Sequence, residues 1–411
     1  MNRVILNRKN KISYLFFLSI IFLFLLFSCK TTYQFSRTSS PPVKEDFNFP
    51  EKNELSDYNN LTDSNIRINL LIATGESFLI KSNTIIYKDN KPITTINNEG
   101  GNSPDNYYKI TLMDAGSTFI SFSFFQLDGK NISKVIKVEK KDDKNIYLIA
   151  NMPLIFYLAG VLSAEMGKSF PAEALKAQSI AARTNLYANG FGNKNDRLYD
   201  VINSTNFQVF NFENLQYFIP FVASTDNLVL TYKSQIFFAY FHSHSGGILT
   251  TPELVWGKNN SEIYSQIYRI KEDIYSSDSY KWQANIPRFF LKTLFQRAGY
   301  NVDGYCENIE VLYIGEDKRI SKIKFYFSNK VNLEITGDQF RKIAGTTLIK
   351  STIFTFYYDS ASQNYIFNGT GYGHGIGLSQ YGAKTMAEKG YNYAQILGFY
   401  YNFAELRKYT K

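Results

Sequence analysis

The sequence predicts a mixed α+β fold, a strand-rich lobe joined by a groove to a helical segment. Three stretches predict it. Residues 66–150 carry alternating and continuous β-type runs, and residues 154–189 carry apolar and alanine spacings of three and four. Near the C-terminus, five glycines at every second position lead into two capped helical stretches.

Residues 1–29 form a targeting leader and stand outside the fold. Arg3, Arg8, Lys9 and Lys11 make its positive start, and Leu15 to Phe27 is an apolar run too short to span a bilayer comfortably. The run ends in Leu26-Phe27-Ser28-Cys29, which resembles a bacterial lipobox. That resemblance implies cleavage before Cys29 and lipid on its thiol, with a plain anchor helix as the alternative. Either way the folded part is exported and held to a membrane. Residues 30–65, rich in Ser, Thr, Pro, Asn and charge with no apolar period, read as a flexible tether.

The chain of 411 residues carries a formal charge of +9, which falls to +5 without the leader's four cations. No Lys/Arg block marks nucleic-acid binding, and mild basicity suits an anionic polymer. Of the 2 cysteines, only Cys306 is left once Cys29 carries lipid. This excludes an intramolecular disulfide and a Cys-based metal site, and Cys306 reads as a small buried hydrophobe. Aromatics make up 17% of the chain. Lys, Asn and Ile are abundant with them, as an AT-rich coding sequence would produce, so this number alone does not argue for sugar stacking.

The lobe at 66–150 begins with RINLLIATGESFLIKSNTIIYKDNK, broken at Gly75 and Asp89-Asn90, and continues with strands at 108–112, 118–125 and 135–139. A short apolar helix follows, with Leu154, Tyr157, Leu158, Val161 and Leu162 on one face. Ser169 is expected to cap the next helix, with Pro171 and Glu173 in its first turn. That helix carries Ala172, Ala174, Ala177, Ala181 and Ala182, which let other backbone approach. Glu165 lies at the joint between Ala164 and Met166. A carboxylate at a helix C-terminus in apolar company has its pKa raised, and can hold a proton near neutral pH for delivery to a leaving group. A solvated face is the ordinary alternative for such a Glu.

Farther on, SQIFFAYFHSHSGG reads as a strand running into a glycine loop, with Ile236, Phe238, Tyr240, His242 and His244 on one face. A helix is predicted at 289–297 and strands at 310–313, 322–327 and 331–335. In NGTGYGHGIGLSQYGA, the glycines at 369, 371, 373, 375 and 377 would strip one face of an extended chain, letting backbone lie flush against a ligand or a neighbouring strand. A helix from Ser379 to Lys389 closed by Gly390, and another capped by Asn392, complete the chain.

The block YLAGVLSAEM…FPAEALKAQSIAARTNLY resembles the signature of the SpoIID/LytB family of bacterial cell-wall proteins, and GHGIGLSQYGA resembles its second signature. The resemblance spans residues 66–411: a 66–150 strand-rich lobe and a 151–411 catalytic part. It implies a peptidoglycan lytic transglycosylase, a lyase cutting the β-1,4 bond between N-acetylmuramic acid and N-acetylglucosamine in glycan strands, preferably after stem peptides have been removed. The sugar's own C6 hydroxyl closes a 1,6-anhydro ring, so the nucleophile is already tethered and one acid suffices where other glycosidases use two carboxylates. The family's catalytic Glu falls on Glu165.

Gln178 and Arg183 on the second helix, with His244, Ser245, His374, Ser379, Gln380 and Tyr381 in the glycine-flanked loops, are expected to line the saccharide groove. For Arg183 the alternative is bracing of Glu165 or a loop. Some relatives bind zinc near Tyr199–Phe210, a stretch ending in Gln208 and Phe210. Asn203 and Asn206 stand there in this chain, with no Cys or His, so no cofactor is expected. Two other readings stay open. His242, His244 and His374 would suit a three-histidine zinc site, giving a zinc-dependent wall hydrolase. The chain would instead be a non-catalytic glycan-binding activator of a cell-wall amidase, as LytB-like members are thought to be.

Overall fold

The computed structural model describes the strands between Asn65 and Pro153, and residues 154–409 apart from 192–198, 203–207, 212, 258–261 and 277–279. The leader, Cys29, the tether, Asn203 and Asn206 lie outside the described residues. Among the described residues, no helix is long and apolar enough to cross a membrane.

The fold is mixed α+β. Its largest sheet runs in the order Val201–Ile202, Asn65–Thr74, Asn145–Pro153, Val135–Lys140, Thr118–Ser121, Ile86–Lys88, Lys91–Pro92. All pairings are antiparallel except Val201–Ile202 against Asn65–Thr74. A four-stranded sheet, Asn106–Thr111, Ser77–Ser82, Phe125–Leu127 and Lys130–Ile132, completes the strand-rich part.

Strand Asn145–Pro153 runs directly into helix α1 (Leu154–Glu165), with Pro153 as its N-cap. Helix α2 (Ala172–Ala188) is buried from Ala174 to Tyr187, on every face. A helix enclosed all round is the centre of a core rather than a surface element. It packs against α1, α3 (Leu215–Ala223), the strand Leu228–Tyr232, and two helices from the far end of the chain. Ala174, Ala177, Ala181 and Ala182 have zero exposure, so the alanines permit that crowding. Ser169 does not cap α2; Pro171 occupies the N-cap and no side chain bonds the first turn. Glu173 does sit in the first turn, where it pairs with Lys176 at 2.7 Å.

Short helices α4 (Pro252–Trp256) and α5 (Glu262–Ile267) follow. A second hydrophobic core then builds up between residues 282 and 367. One of its sheets has the order Lys281–Pro287, Asn364–Thr370, Phe354–Asp359; the other has Cys306–Ile314, Ile320–Phe327, Asn332–Thr336. Helices α6 (Arg288–Arg297) and α7 (Gly337–Ala344) pack with them, and the rings of Phe295, Phe325, Phe340 and Phe367 interlock at centroid distances of 4.8 to 5.6 Å. Cys306 is fully buried in this core, and burial pushes its thiol up to about 12.

This second core is inserted between two stretches that meet again in space. The chain leaves at Lys281 and returns at Thr370, where the glycine-rich segment begins. Arg319 fastens the insertion: its Nη2 donates to the carbonyls of Ser245 and Ile248, while Asp317 accepts from Thr250 Oγ1 at 2.5 Å. The chain ends with α8 (Gln380–Glu388), capped by Ser379, and α9 (Tyr393–Tyr400), capped by Asn392 in a reciprocal arrangement with Gln395. Glu173 accepts from the backbone N–H of Tyr393 at 2.7 Å, so the first turns of α2 and α9 share one carboxylate.

Two expectations need correction. The stretch 234–247 is not one strand: pairing is confined to Gln235–Ile236, Phe241–His242 and a single bridge at His244. Nor is the glycine segment extended beyond Thr370. Gly371, Gly373, Gly375 and Gly377 have φ of +82°, +115°, +83° and +70°. At Gly377 a β-carbon would stand 2.0 Å from the Tyr240 carbonyl oxygen. Backbone lies flush here, as expected of a neighbouring strand, but against residues 240–246, Lys350 and Arg319. No glycine face is left open for a ligand.

Candidate functional site

Helix α1 terminates at Glu165, because Met166 turns extended and Gly167 follows. The carboxylate therefore stands at the negative end of a helix, half-buried. Its Oε1 accepts from the Val209 backbone N–H, and its Oε2 accepts from Gln380 Nε2, both at 3.3 Å. Burial raises the Glu165 pKa above the ordinary Glu range; the bonds from Gln380 and Val209 pull it back only in part. Each oxygen keeps lone-pair capacity beyond its single long bond, and the group is reachable from solvent. It can hold and release a proton at a surface.

Val209 is held in place by its neighbours. Gln208 is buried, accepting from Tyr157 Oη at 2.9 Å and donating to the Ala182 carbonyl at 3.0 Å, so it ties α1 to α2. Phe210 stacks on Tyr157 with centroids 5.7 Å apart and planes 8° from parallel. That stacking requires Gly160, where a β-carbon would fall 2.1 Å from the Phe210 ring. Gly160→Ala is therefore expected to cost about 1–3 kcal/mol through overpacking. It should also withdraw the Val209 N–H from Glu165. Thermal denaturation, with carbon-13 NMR titration of the Glu165 carboxyl, checks both: a lower Tm and a carboxyl pKa displaced further upward.

Gln380 opens α8, and Tyr381 beside it is 40% exposed. The Tyr381 ring meets Phe170 at 5.5 Å and Tyr280 at 6.1 Å, and Tyr280 meets Tyr372 at 6.0 Å. This row starts at Tyr381, the chain neighbour of the Gln380 that bonds Glu165. Phe170 lies in the first signature and Tyr372 in the glycine segment, but Tyr280 lies in neither, and nothing in the sequence shows that these three separate stretches meet.

Other expected groove residues lie behind this surface. Ser379 is buried and its Oγ accepts from the Gly382 N–H as the N-cap of α8. His244 is buried; its Nδ1 accepts from the Gly246 N–H at 3.0 Å, and Ser276 Oγ lies 3.2 Å away. Ser245 accepts from the Gly247 N–H at 3.1 Å. Nearby Asp273, whose pKa burial raises, accepts from the Tyr400 hydroxyl and from the N–H groups of Tyr275 and Ser276. These polar groups knit the loops under the site and do not face a sugar.

Gln178 has zero exposure, and neither of its amide atoms has a partner among the described residues. Arg183 is 1% exposed and spends its guanidinium on the carbonyls of Thr225, Leu228 and Val222. A saccharide reaches neither. Of the two roles open to Arg183, the geometry is that of a brace, and it acts on the end of α3 rather than on Glu165.

His242 and His374 clamp one residue between them. His242 Nδ1 lies 3.1 Å from the Ile376 carbonyl, and His374 Nδ1 accepts from the Ile376 N–H at 3.0 Å. Burial, then His374 and Arg319, hold His242 well below the usual imidazole range. Burial, with Arg341 and Arg319 nearby, brings His374 to about 3. Both rings are neutral at physiological pH. The His242 and His374 rings are 5.5 Å apart, whereas His244 turns to Ser276, Tyr280 and Tyr381. Among the described residues no group of three His, Cys, Asp or Glu is placed to hold a metal ion. The three-histidine zinc arrangement is thus not formed: the break in the strand sends the rings to different partners.

The site is thus an acid with a raised pKa at the end of α1, held by the Val209 N–H and by Gln380 from the first turn of α8, next to which the aromatic row starts at Tyr381. The family model described as SpoIID, Stage II sporulation protein, matches residues 142–232, the stretch that holds Glu165 and Val209. An uncharacterised protein of Brachyspira hyodysenteriae is 30% identical over 258 residues, covering 62% of this chain and 67% of that protein. Stage II sporulation protein D of Bacillus amyloliquefaciens is 27% identical over 284 residues, covering 63% of this chain and 75% of that protein. The amidase enhancer of Bacillus subtilis is 27% identical over 294 residues, covering 61% of this chain but 40% of that longer protein. The chain belongs to the SpoIID/LytB family, which is associated with cell-wall processing.

Proposed function

We propose that the protein is a peptidoglycan lytic transglycosylase in which Glu165 is the general acid and base. The observation that supports it best is the carboxyl itself: half-buried, raised in pKa, and held on both oxygens, by a donor from the Tyr199–Phe210 stretch and one from the C-terminal signature. Protonated Glu165 gives its proton to the glycosidic oxygen as the bond to the muramoyl C1 breaks. The resulting carboxylate takes the proton of the C6 hydroxyl as that oxygen closes on C1, which restores the acid. Water is not consumed, and the entropy of bringing in a nucleophile is prepaid by the ring. Glycan strands are the partner, outside the cytoplasm, with the chain tethered through a lipid on Cys29. Mass spectrometry of glycan digests tests the reading. Anhydro-ended fragments are expected from the wild type, and none from Glu165→Gln.

A second reading has one observation in its favour, the similarity to a protein named amidase enhancer. On that reading the chain holds glycan for an amidase and cuts nothing. Absence of anhydro ends from the wild-type digest, with glycan still bound, would favour it.

Catalysis by the acid form makes kcat/KM high below the pKa of Glu165 and lost as pH rises through it. Gln380 stabilises the carboxylate, so Gln380→Ala should move this alkaline limb to higher pH. At a saturating proton supply its rate should fall by about 3- to 10-fold, the value of one modest hydrogen bond. A pH–rate profile of both proteins checks the direction.

A further inference from the structure

The aromatic row that starts at Tyr381, next to the Gln380 that bonds Glu165, carries a cation at its far end. Lys350 Nζ lies 5.4 Å from the ring centroid of Tyr280 and 5.6 Å from that of Tyr372. Its backbone is fixed, because its carbonyl accepts from the Gly373 N–H at 2.8 Å and from Arg341 Nε at 3.0 Å. The side chain is half-buried, and among the described residues it pairs with no carboxylate. At the opposite end Lys384 lies 5.5 Å over Phe170, but Glu388 partners it at 4.0 Å. Among the described residues the two ends of the row therefore differ: one ammonium has an acid neighbour and the other lies over two rings.

Arg341, which donates to the Lys350 carbonyl, and Lys342 both reach Asp338, at 4.0 and 2.7 Å, so they carry an acid partner of their own. An ammonium over two rings loses part of its water, which strengthens its attraction for an incoming anion. The faces of sugar rings stack on aromatic side chains, and a muramoyl residue carries a lactyl carboxylate. That group is anionic when free and becomes a neutral amide when a stem peptide is joined to it.

We propose that Lys350 is the specificity-determining residue of this site, selecting strands whose muramoyl lactyl carboxylates are free by pairing with one such carboxylate on the Tyr280–Tyr372 end of the row. This inference rests on the glycan-cleaving reading above. Lys350 reads charge, and the rings supply the uncharged part of the affinity.

The test uses the full chain carrying Glu165→Gln, which binds without cutting. Its affinity is measured by calorimetry for soluble strands with free lactyl carboxylates, and for the same strands with those groups converted to methylamides. The parent is expected to prefer the charged strand by about 2- to 5-fold at low salt, the range of one partly exposed ion pair, with the preference shrinking as salt rises. Lys350→Met should bring the ratio to about one and leave the affinity for the methylamide strand unchanged. Lys350→Arg, which keeps the charge, should retain the preference and shows that the position tolerates substitution. A preference that persists in Lys350→Met overturns the proposal, as does a parent that binds both strands equally. Failure of the parent to bind either strand overturns it together with the reading on which it rests.

Discussion

Replacing Glu165 by Gln is expected to reduce glycan cleavage by a factor of about 10²–10⁴, the usual contribution of a positioned proton donor, and to below detection where no other group can protonate the leaving oxygen. The substitution keeps the shape and the possibility of accepting from Val209 N–H. It removes the negative charge and with it the ability to give and retrieve a proton. Stability supplies a second readout with a definite sign. Burial raises the folded-state pKa of Glu165 above its unfolded value. The folded protein therefore holds that proton to higher pH than the unfolded chain does, and the cost of ionising a half-buried carboxylate appears as pH rises through this interval. Gln carries no such cost. Glu165→Gln should match the wild type in Tm at acid pH and exceed it at neutral and alkaline pH. A solvated Glu with an ordinary pKa would give no such divergence.

Much of this site was legible because its signals are local. The end of α1 at Glu165 follows from a run of apolar spacings that stops at Met166-Gly167, and the cap at Asn392 is written in a four-residue window, though the same kind of signal misplaced a cap at Ser169. The strands at 310–313, 322–327 and 331–335 were found for the same reason, and the structure extends them to Cys306–Ile314, Ile320–Phe327 and Asn332–Thr336. What failed was inference from period two. Glycines at alternate positions fit an extended strand and a series of left-handed turns equally well. Only the partners distinguish the two: the Tyr240 carbonyl at Gly377 and the Arg319 guanidinium at Gly375. His242 and His244 were placed on one strand face by the same rule, and a break in pairing sends their rings to Ile376 and Ser276. Val209 stands inside the Tyr199–Phe210 stretch yet nothing in the sequence singled it out, and nothing singled out Lys350. The first acts through a backbone N–H any residue could supply, and the second is recognisable only from the rings beneath it.

Loss of Arg183 should unfold the protein rather than disable its site. The guanidinium donates to Thr225 O at 2.8 Å, Leu228 O at 3.1 Å and Val222 O at 3.3 Å, where α3 ends and the strand Leu228–Tyr232 begins. Carbonyls at a helix C-terminus have no intrahelical partners and carry partial negative charge, so a buried cation satisfies both needs. Burial lowers the Arg183 pKa to about 10, opposed by Asp226 and Tyr187, and the group stays charged at neutral pH. Arg183→Ala strips the donors from these carbonyls and leaves a cavity at the centre of the core. The cost should be about 3–5 kcal/mol, as for breaking a buried charged network, or a fall in Tm on the order of 10 °C. Arg183→Lys retains the charge but not the planar fork, and should recover only part of the loss. A residue that held substrate would behave otherwise, with Arg183→Lys folding normally at an increased KM. Here the fraction that stays folded should show an unchanged KM, and thermal denaturation paired with steady-state kinetics on both variants separates the two roles.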